Sequence, residues 1–286
     1  MLDVEPTTTR AALHKFCTAR FGAELAARVV SLARPGFELT RAAPGEAAGN
    51  SRFGGRPLLE PGTPWPTCEG VPLSLFAVLD TDALAPWLDG LIPAGTGLLN
   101  FFYLDYDSEP CDPAAAEVAS KFFCDAPELG AVIATRSEHA VEVDPHARSS
   151  VFAPIPWAAS PGFTFPDTFD PAWRTLWAEP DAYDENIEYI RDYASISNLD
   201  PDNDWASRPG AIITENLAFG WPIFPTGSSP ICRNNEDINL YHHLLQLSDQ
   251  DEWRIGGDGG WMHWSIPTKA LRSGDFSQAI PTPDIW

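Results

Sequence analysis

Leu73-Ser74-Leu75-Phe76-Ala77-Val78-Leu79-Asp80 is apolar at nearly every position and carries no helix-length polar periodicity. Leu98-Leu99-Asn100-Phe101-Phe102-Tyr103-Leu104 has the same character. A strand with one wet face alternates apolar and polar residues, whereas a strand buried on both faces reads as a continuous apolar run. Both segments are therefore predicted as strands of a sheet covered on each side. Thr81 to Leu88, which lies between them, predicts a short helix with Thr81 or Asp82 as its N-cap.

Upstream, residues 1 to 36 predict two short helices. Thr7-Thr8-Thr9 offers a cap, and Ala12, Leu13, Phe16 and Cys17, then Leu25, Val29, Val30 and Leu32, recur at helical spacing until Pro35-Gly36 breaks the pattern. Phe37 to Arg41 alternates like a strand, and Pro44 to Asn50 reads as a loop. Downstream, residues 114 to 123 read as helical, 131 to 135 and 140 to 143 as strands, and 154 to 166 as an extended Pro-rich segment. An acidic helical stretch, 171 to 193, precedes the last strands.

Three segments recur in the same order. Phe53-Gly54-Gly55-Arg56-Pro57 is echoed by Phe219-Gly220-Trp221-Pro222, Leu73 to Asp80 by Tyr241 to Ser248, and Gly97 to Phe102 by Gly260 to Ser265. The spacing between each segment and its echo is nearly constant, which predicts an internal duplication. The expected fold is α+β: an N-terminal helical segment (1 to 36), then two tandem related halves with mainly antiparallel sheets (37 to 150 and 151 to 286) forming one compact unit.

The first-half segments, together with Pro64-Trp65-Pro66 and Pro72 to Phe76, resemble the YwqG-like family of bacterial proteins of unknown function. Leu244-Leu245-Gln246-Leu247-Ser248-Asp249, Gly257-Asp258-Gly259-Gly260 and Gly274-Asp275-Phe276 resemble that family's C-terminal signature, so the likeness covers about residues 37 to 280. The resemblance implies an α+β fold with duplicated antiparallel sheets. Because relatives occur beside toxin systems, it also implies an immunity-like or partner-binding role. One position departs from the pattern: Val78 stands where the family usually repeats the glutamine that Gln246 supplies in the second half.

Composition narrows the function further. Forty acids against 18 bases in 286 residues give a formal charge of −22. A field of that sign repels phosphate backbones and anionic lipid and favours encounter with basic partners, so nucleic acid and membrane are not expected ligands. No apolar run approaches the roughly 20 residues of a spanning helix, and the acidic N-terminus lacks the basic region of a secretory leader, which predicts a soluble cytoplasmic protein. The five cysteines have no zinc spacing and read as buried thiols.

Catalytic motifs are sparse. Walker, Rossmann and Gly-x-Ser-x-Gly patterns are missing, and no cofactor is expected. His243 and His263 with Asp258 could form a two-His-one-carboxylate set, which makes a metal-dependent hydrolase the alternative to a non-catalytic binding protein. Two recognition surfaces are expected instead. Asp181, Asp184, Glu185 and Glu188, in the acidic stretch 179 to 204, suit a basic protein partner. Arg56 with the turn-held indoles Trp65 and Trp221 suits a small anionic ligand, unless Arg56 closes its own turn by pairing with a carboxylate such as Glu60.

Overall fold

A computed structural model describes residues 7–88, 90–108, 111–123, 125–168, 170–176, 185–194, 205, 207–212, 216–223, 237, 239–250, 253 and 259–285. It is an α+β fold in which a pair of N-terminal helices precedes antiparallel sheet. The helices are α1 (Arg10–Phe21), α2 (Ala23–Leu32), α3 (Thr81–Leu88), α4 (Ala115–Ala119), α5 (Glu185–Ala194) and α6 (Thr268–Ser273). The strands are β1 (Arg34–Arg41), β2 (Arg52–Phe53), β3 (Leu58–Leu59), β4 (Thr67–Cys68), β5 (Val71–Pro72), β6 (Ser74–Asp80) and β7 (Leu98–Tyr103). They continue as β8 (Gly130–Thr135), β9 (Val141–Glu142), β10 (Ile155–Thr164), β11 (Leu217–Phe219), β12 (Tyr241–Ser248), β13 (Gly260–Pro267) and β14 (Ile280–Ile285). Among the described residues no helix is long and apolar enough to cross a membrane.

The chain forms two compact units, Met1–Glu38 with Ser160–Gln246, and Leu39–Ala159 with Leu247–Trp286. In the first unit Thr9 caps α1, its side-chain oxygen accepting from the Ala12 N–H at 3.1 Å. Gly22, at φ +83°, ends α1 and begins α2 in a positive-φ conformation that favours glycine. Leu13, Cys17, Ala26 and Val29 are buried, and Phe16 and Phe165 pack on Trp205 at 5.9 and 5.1 Å. The strand expected from Phe37 begins earlier, at Arg34, so Pro35-Gly36 lies inside β1. A Cβ on Gly36 would stand 3.0 Å from the Ala218 carbonyl oxygen, so this glycine serves close strand approach. β11 pairs antiparallel with β1 (Phe37 opposite Ala218) and with β12 (Ala218 opposite Leu245).

The second unit holds the two decisive strands. Every residue of β6 and β7 is buried, as their unbroken apolar runs require. The order β10-β2-β6-β7-β8 is antiparallel throughout, with Val78 opposite Asn100 and Phe101 opposite Val132. The β6–β7 register skips Phe76, and its ring meets Trp253 at 4.8 Å, Phe152 at 5.1 Å and Trp264 at 6.4 Å. Each such buried aromatic contributes about 1.5–3 kcal/mol by removal from water alone. β13 and β14 form an antiparallel pair, His263 opposite Thr282.

Two local expectations are corrected. Asp80, not Thr81 or Asp82, caps α3: its Oδ1 accepts from the Ala83 N–H at 3.2 Å, while the Thr81 hydroxyl donates to the Gly97 carbonyl. The helix expected over 114–123 is a single turn and a half, Ala115–Ala119. From the acidic stretch 171–193, the described residues give a 3-10 turn, Pro171–Leu176, and α5.

Candidate functional site

Each of the two Gly-Pro segments bends at the end of a short strand. In the second unit β2 runs into Gly54 (φ +61°) and Gly55 (φ +80°). The Gly54 N–H donates to the Phe76 carbonyl at 2.7 Å and the Gly55 N–H to that of Phe152 at 3.0 Å. A Cβ on Gly54 would lie 2.8 Å from the Ala153 oxygen, so both the left-handed conformation and the crowding demand glycine. Arg52 staples the turn from beneath, donating to the carbonyls of Asn50 and Arg56. Beyond Pro57, the buried amide of Asn100 accepts from the Leu58 N–H and donates to the Leu58 carbonyl, both at 2.8 Å.

The first unit repeats this sequence of conformations with different side chains. β11 runs into Phe219 (φ +58°) and Gly220 (φ +72°), and Phe219 is fully buried. A left-handed phenylalanine costs on the order of 1–2 kcal/mol, which its surroundings must offset. His243 is one such partner: its Nδ1 donates to the Phe219 carbonyl at 3.1 Å, which fixes the proton on that nitrogen. Burial pushes the pKa of His243 down to about 4, so the ring is neutral at pH 7. Past Pro222, the Ile223 N–H donates to the buried amide oxygen of Gln246 at 2.8 Å.

The residues expected to hold a small anion are committed in specific ways. Arg56 pairs with Asp144 at 3.0 Å on an open surface, rather than with Glu60, whose neighbour is His139 at 3.7 Å. Trp65 is half-buried, donates from Nε1 to the Leu73 carbonyl at 2.9 Å and packs nearly perpendicular to Phe102, with ring centroids 5.5 Å apart. Trp221 belongs to the other unit and is 1% exposed. Its Nε1 donates to the Leu32 carbonyl, and the Arg34 guanidinium covers its face at 3.6 Å.

His243 and His263 are buried in β12 and β13, in different units, and Asp258 lies outside the described residues. Among the described residues no group of three or more His, Cys, Asp or Glu side chains is arranged to hold a metal ion. Cys17 and Cys68 are buried free thiols, and burial pushes the Cys17 pKa up to about 12, so it packs as a protonated hydrophobe.

Of the acidic residues expected to meet a basic partner, Asp181 and Asp184 also lie outside the described residues. Glu185 stands exposed at the N-terminus of α5, where a carboxylate opposes the positive end of the helix dipole. Glu188 is half-buried and pairs with Arg191 at 3.2 Å. Ile187 and Ile190 anchor the inner face, and Tyr189 is 51% exposed on the outer one, within 2.6 Å of the Arg20 guanidinium. Composition could not single out Tyr189, because its use as a surface aromatic depends on which face of α5 is buried.

A family model described as "Domain of unknown function (DUF1963)" matches residues 51–284. No curated protein matches the chain.

Proposed function

The chain belongs to the DUF1963 family, sometimes called YwqG-like, and from that premise we propose that it is a non-catalytic binding protein of the cytoplasm, immunity-like in its task, whose acidic surface meets a basic protein partner. The observation that carries this reading is α5: a helix anchored by buried Ile187 and Ile190 that displays Glu185 and Tyr189 outward on a chain of formal charge −22. An anchored helix costs little entropy when it docks, an exposed tyrosine supplies apolar area, and the acidic field draws in a cationic surface. Asp181 and Asp184 extend the same acidic run in sequence.

The scaffold is proposed to be a duplicated unit. In support, Arg52 faces Val78 and Phe53 faces Ala77, as Leu217 faces Gln246 and Ala218 faces Leu245. The matching positions are then Gly54-Gly55 and Phe219-Gly220, one residue away from an alignment of the two Phe-Gly pairs. On this reading Val78 occupies the place of Gln246, and Asn100 on the next strand supplies the amide that holds the residue after the proline. The departure at Val78 is thus a relocation of one hydrogen-bonding group.

The test is cross-linking in the source cell, followed by purification of the captured protein and elemental analysis of the chain itself. The proposal expects a basic protein bound reversibly with affinity that falls as salt rises, and metal-free protein competent to bind it. A stoichiometric transition metal together with hydrolytic activity would replace it with the hydrolase reading.

A further inference from the structure

An open cavity of about 260 Å³ lies in the second unit, far in sequence from α5, and its lining includes Glu60, Pro93, Ala94, Arg136, Gly274 and Phe276. Four chain segments converge on it: the residue after β3, the loop between α3 and β7, the end of β8, and the turn after α6. Glycine at Gly274 (φ +72°) makes that last turn possible, with its N–H capping α6 on the Leu271 carbonyl and the Pro93 ring 3.7 Å from where a Cβ would stand. The Thr96 hydroxyl donates back to the Pro93 carbonyl at 2.7 Å and tightens the loop between α3 and β7.

The charges on this wall are unusual in being opposite and apart. Among the described residues Arg136 forms no ion pair, and the only ion-pair neighbour of Glu60 is His139, at 3.7 Å. A guanidinium and a carboxylate that line one cavity without closing on each other leave the fork of the first open to a carboxylate and the oxygens of the second open to an ammonium. Pro93, Ala94 and Phe276 add apolar wall to the same cavity. The volume sits just below the ~300–1,000 Å³ of drug-sized pockets and suits something smaller.

We propose that this cavity binds a small zwitterion carrying one carboxylate and one amine, of amino-acid size, with Arg136 taking the carboxylate, Glu60 the ammonium, and Phe276 the apolar side chain between them. The site is separate from the partner-binding reading and stands or falls without it. It also differs from the turn around Arg56, whose guanidinium is already paired with Asp144.

The experiment titrates the purified full chain with free L-amino acids, their N-acetyl derivatives and their amides, using calorimetry and thermal shift. The proposal expects at least one L-amino acid to bind saturably, and expects its N-acetyl and amide forms, each lacking one charge, to bind at least tenfold more weakly. Arg136→Ala and Glu60→Gln should each weaken binding tenfold or more with unchanged melting temperature in the absence of ligand, because both side chains sit at the surface. No saturable binding of any L-amino acid up to 10 mM (about 2.7 kcal/mol of binding free energy) would overturn the assignment. Binding that survives both substitutions, or that ignores removal of either charge, would overturn it equally.

Discussion

His243 donates through Nδ1 to the carbonyl oxygen of Phe219, a buried residue whose backbone lies at φ +58°. The histidine is 3% exposed and its pKa is pushed down to about 4 by burial. A histidine in the unfolded chain titrates near 6.5. As pH falls from about 6.5 to about 4 the unfolded state binds a proton that the folded state refuses, so stability declines across that window and the contribution is fully present above it. The expected loss is on the order of 3 kcal/mol at most. His243→Asn keeps a donor near the Phe219 oxygen and removes the titration. Urea unfolding at several pH values should show the variant with a flatter dependence between pH 4 and 6.5 than the wild type.

The turn glycines give a controlled comparison. Gly54 and Gly62 both have positive φ, but a Cβ on Gly54 meets two carbonyl oxygens below 3.0 Å and one on Gly62 meets nothing within 4 Å. Gly62→Ala should cost about 1 kcal/mol for conformation alone, and Gly54→Ala at least ~2–3 kcal/mol, measured by chemical denaturation. Equal costs would mean that β2 and its neighbours adjust freely around the turn.

The buried amides that hold the residues after each proline should be costly to remove. Gln246→Leu orphans the Ile223 N–H and is expected to destabilise by about 1–3 kcal/mol. Asn100→Leu orphans both the N–H and the carbonyl of Leu58 and should cost at least about 1–3 kcal/mol. A loss below about 0.5 kcal/mol for either variant in a denaturation series would contradict the assignment.

Arg56→Ala should change stability by less than about 1 kcal/mol, because its pair with Asp144 is solvent-exposed on both sides. A loss several times larger would mean that the guanidinium does more in the turn than its ion pair.

The parts of the fold that were legible in the sequence are those fixed by local pattern. β6 and β7 were readable because both faces are buried, and α1 and α2 because one face is. Side chains assigned by tertiary geometry were not. Asp80 became the cap of α3 because the Gly97 carbonyl engages Thr81, while the Asn50 amide occupies the second oxygen of Asp80. Gly36 looked like a helix stop and proved to be a strand residue, since only the approach of β11 explains its missing side chain. Phe219 carries no sequence signal for left-handed backbone, because that conformation is rare outside glycine. For the candidate sites the limit was burial: spacing placed His243 and Trp221 but could not tell that the fold would enclose them. Arg136 and Glu60 were invisible as a pair because 76 positions of chain (136 − 60) separate them and no motif links them.

The binding account is tested most directly by stopped-flow association of the cross-linked partner with wild type and with the Asp181, Asp184, Glu185 and Glu188 to Lys variant across ionic strength. Steering by this acidic segment predicts a wild-type rate that falls steeply with salt, and a folded variant whose rate is about tenfold or more lower at low salt and nearly independent of it. An association rate and salt dependence identical in the two proteins would contradict the claim.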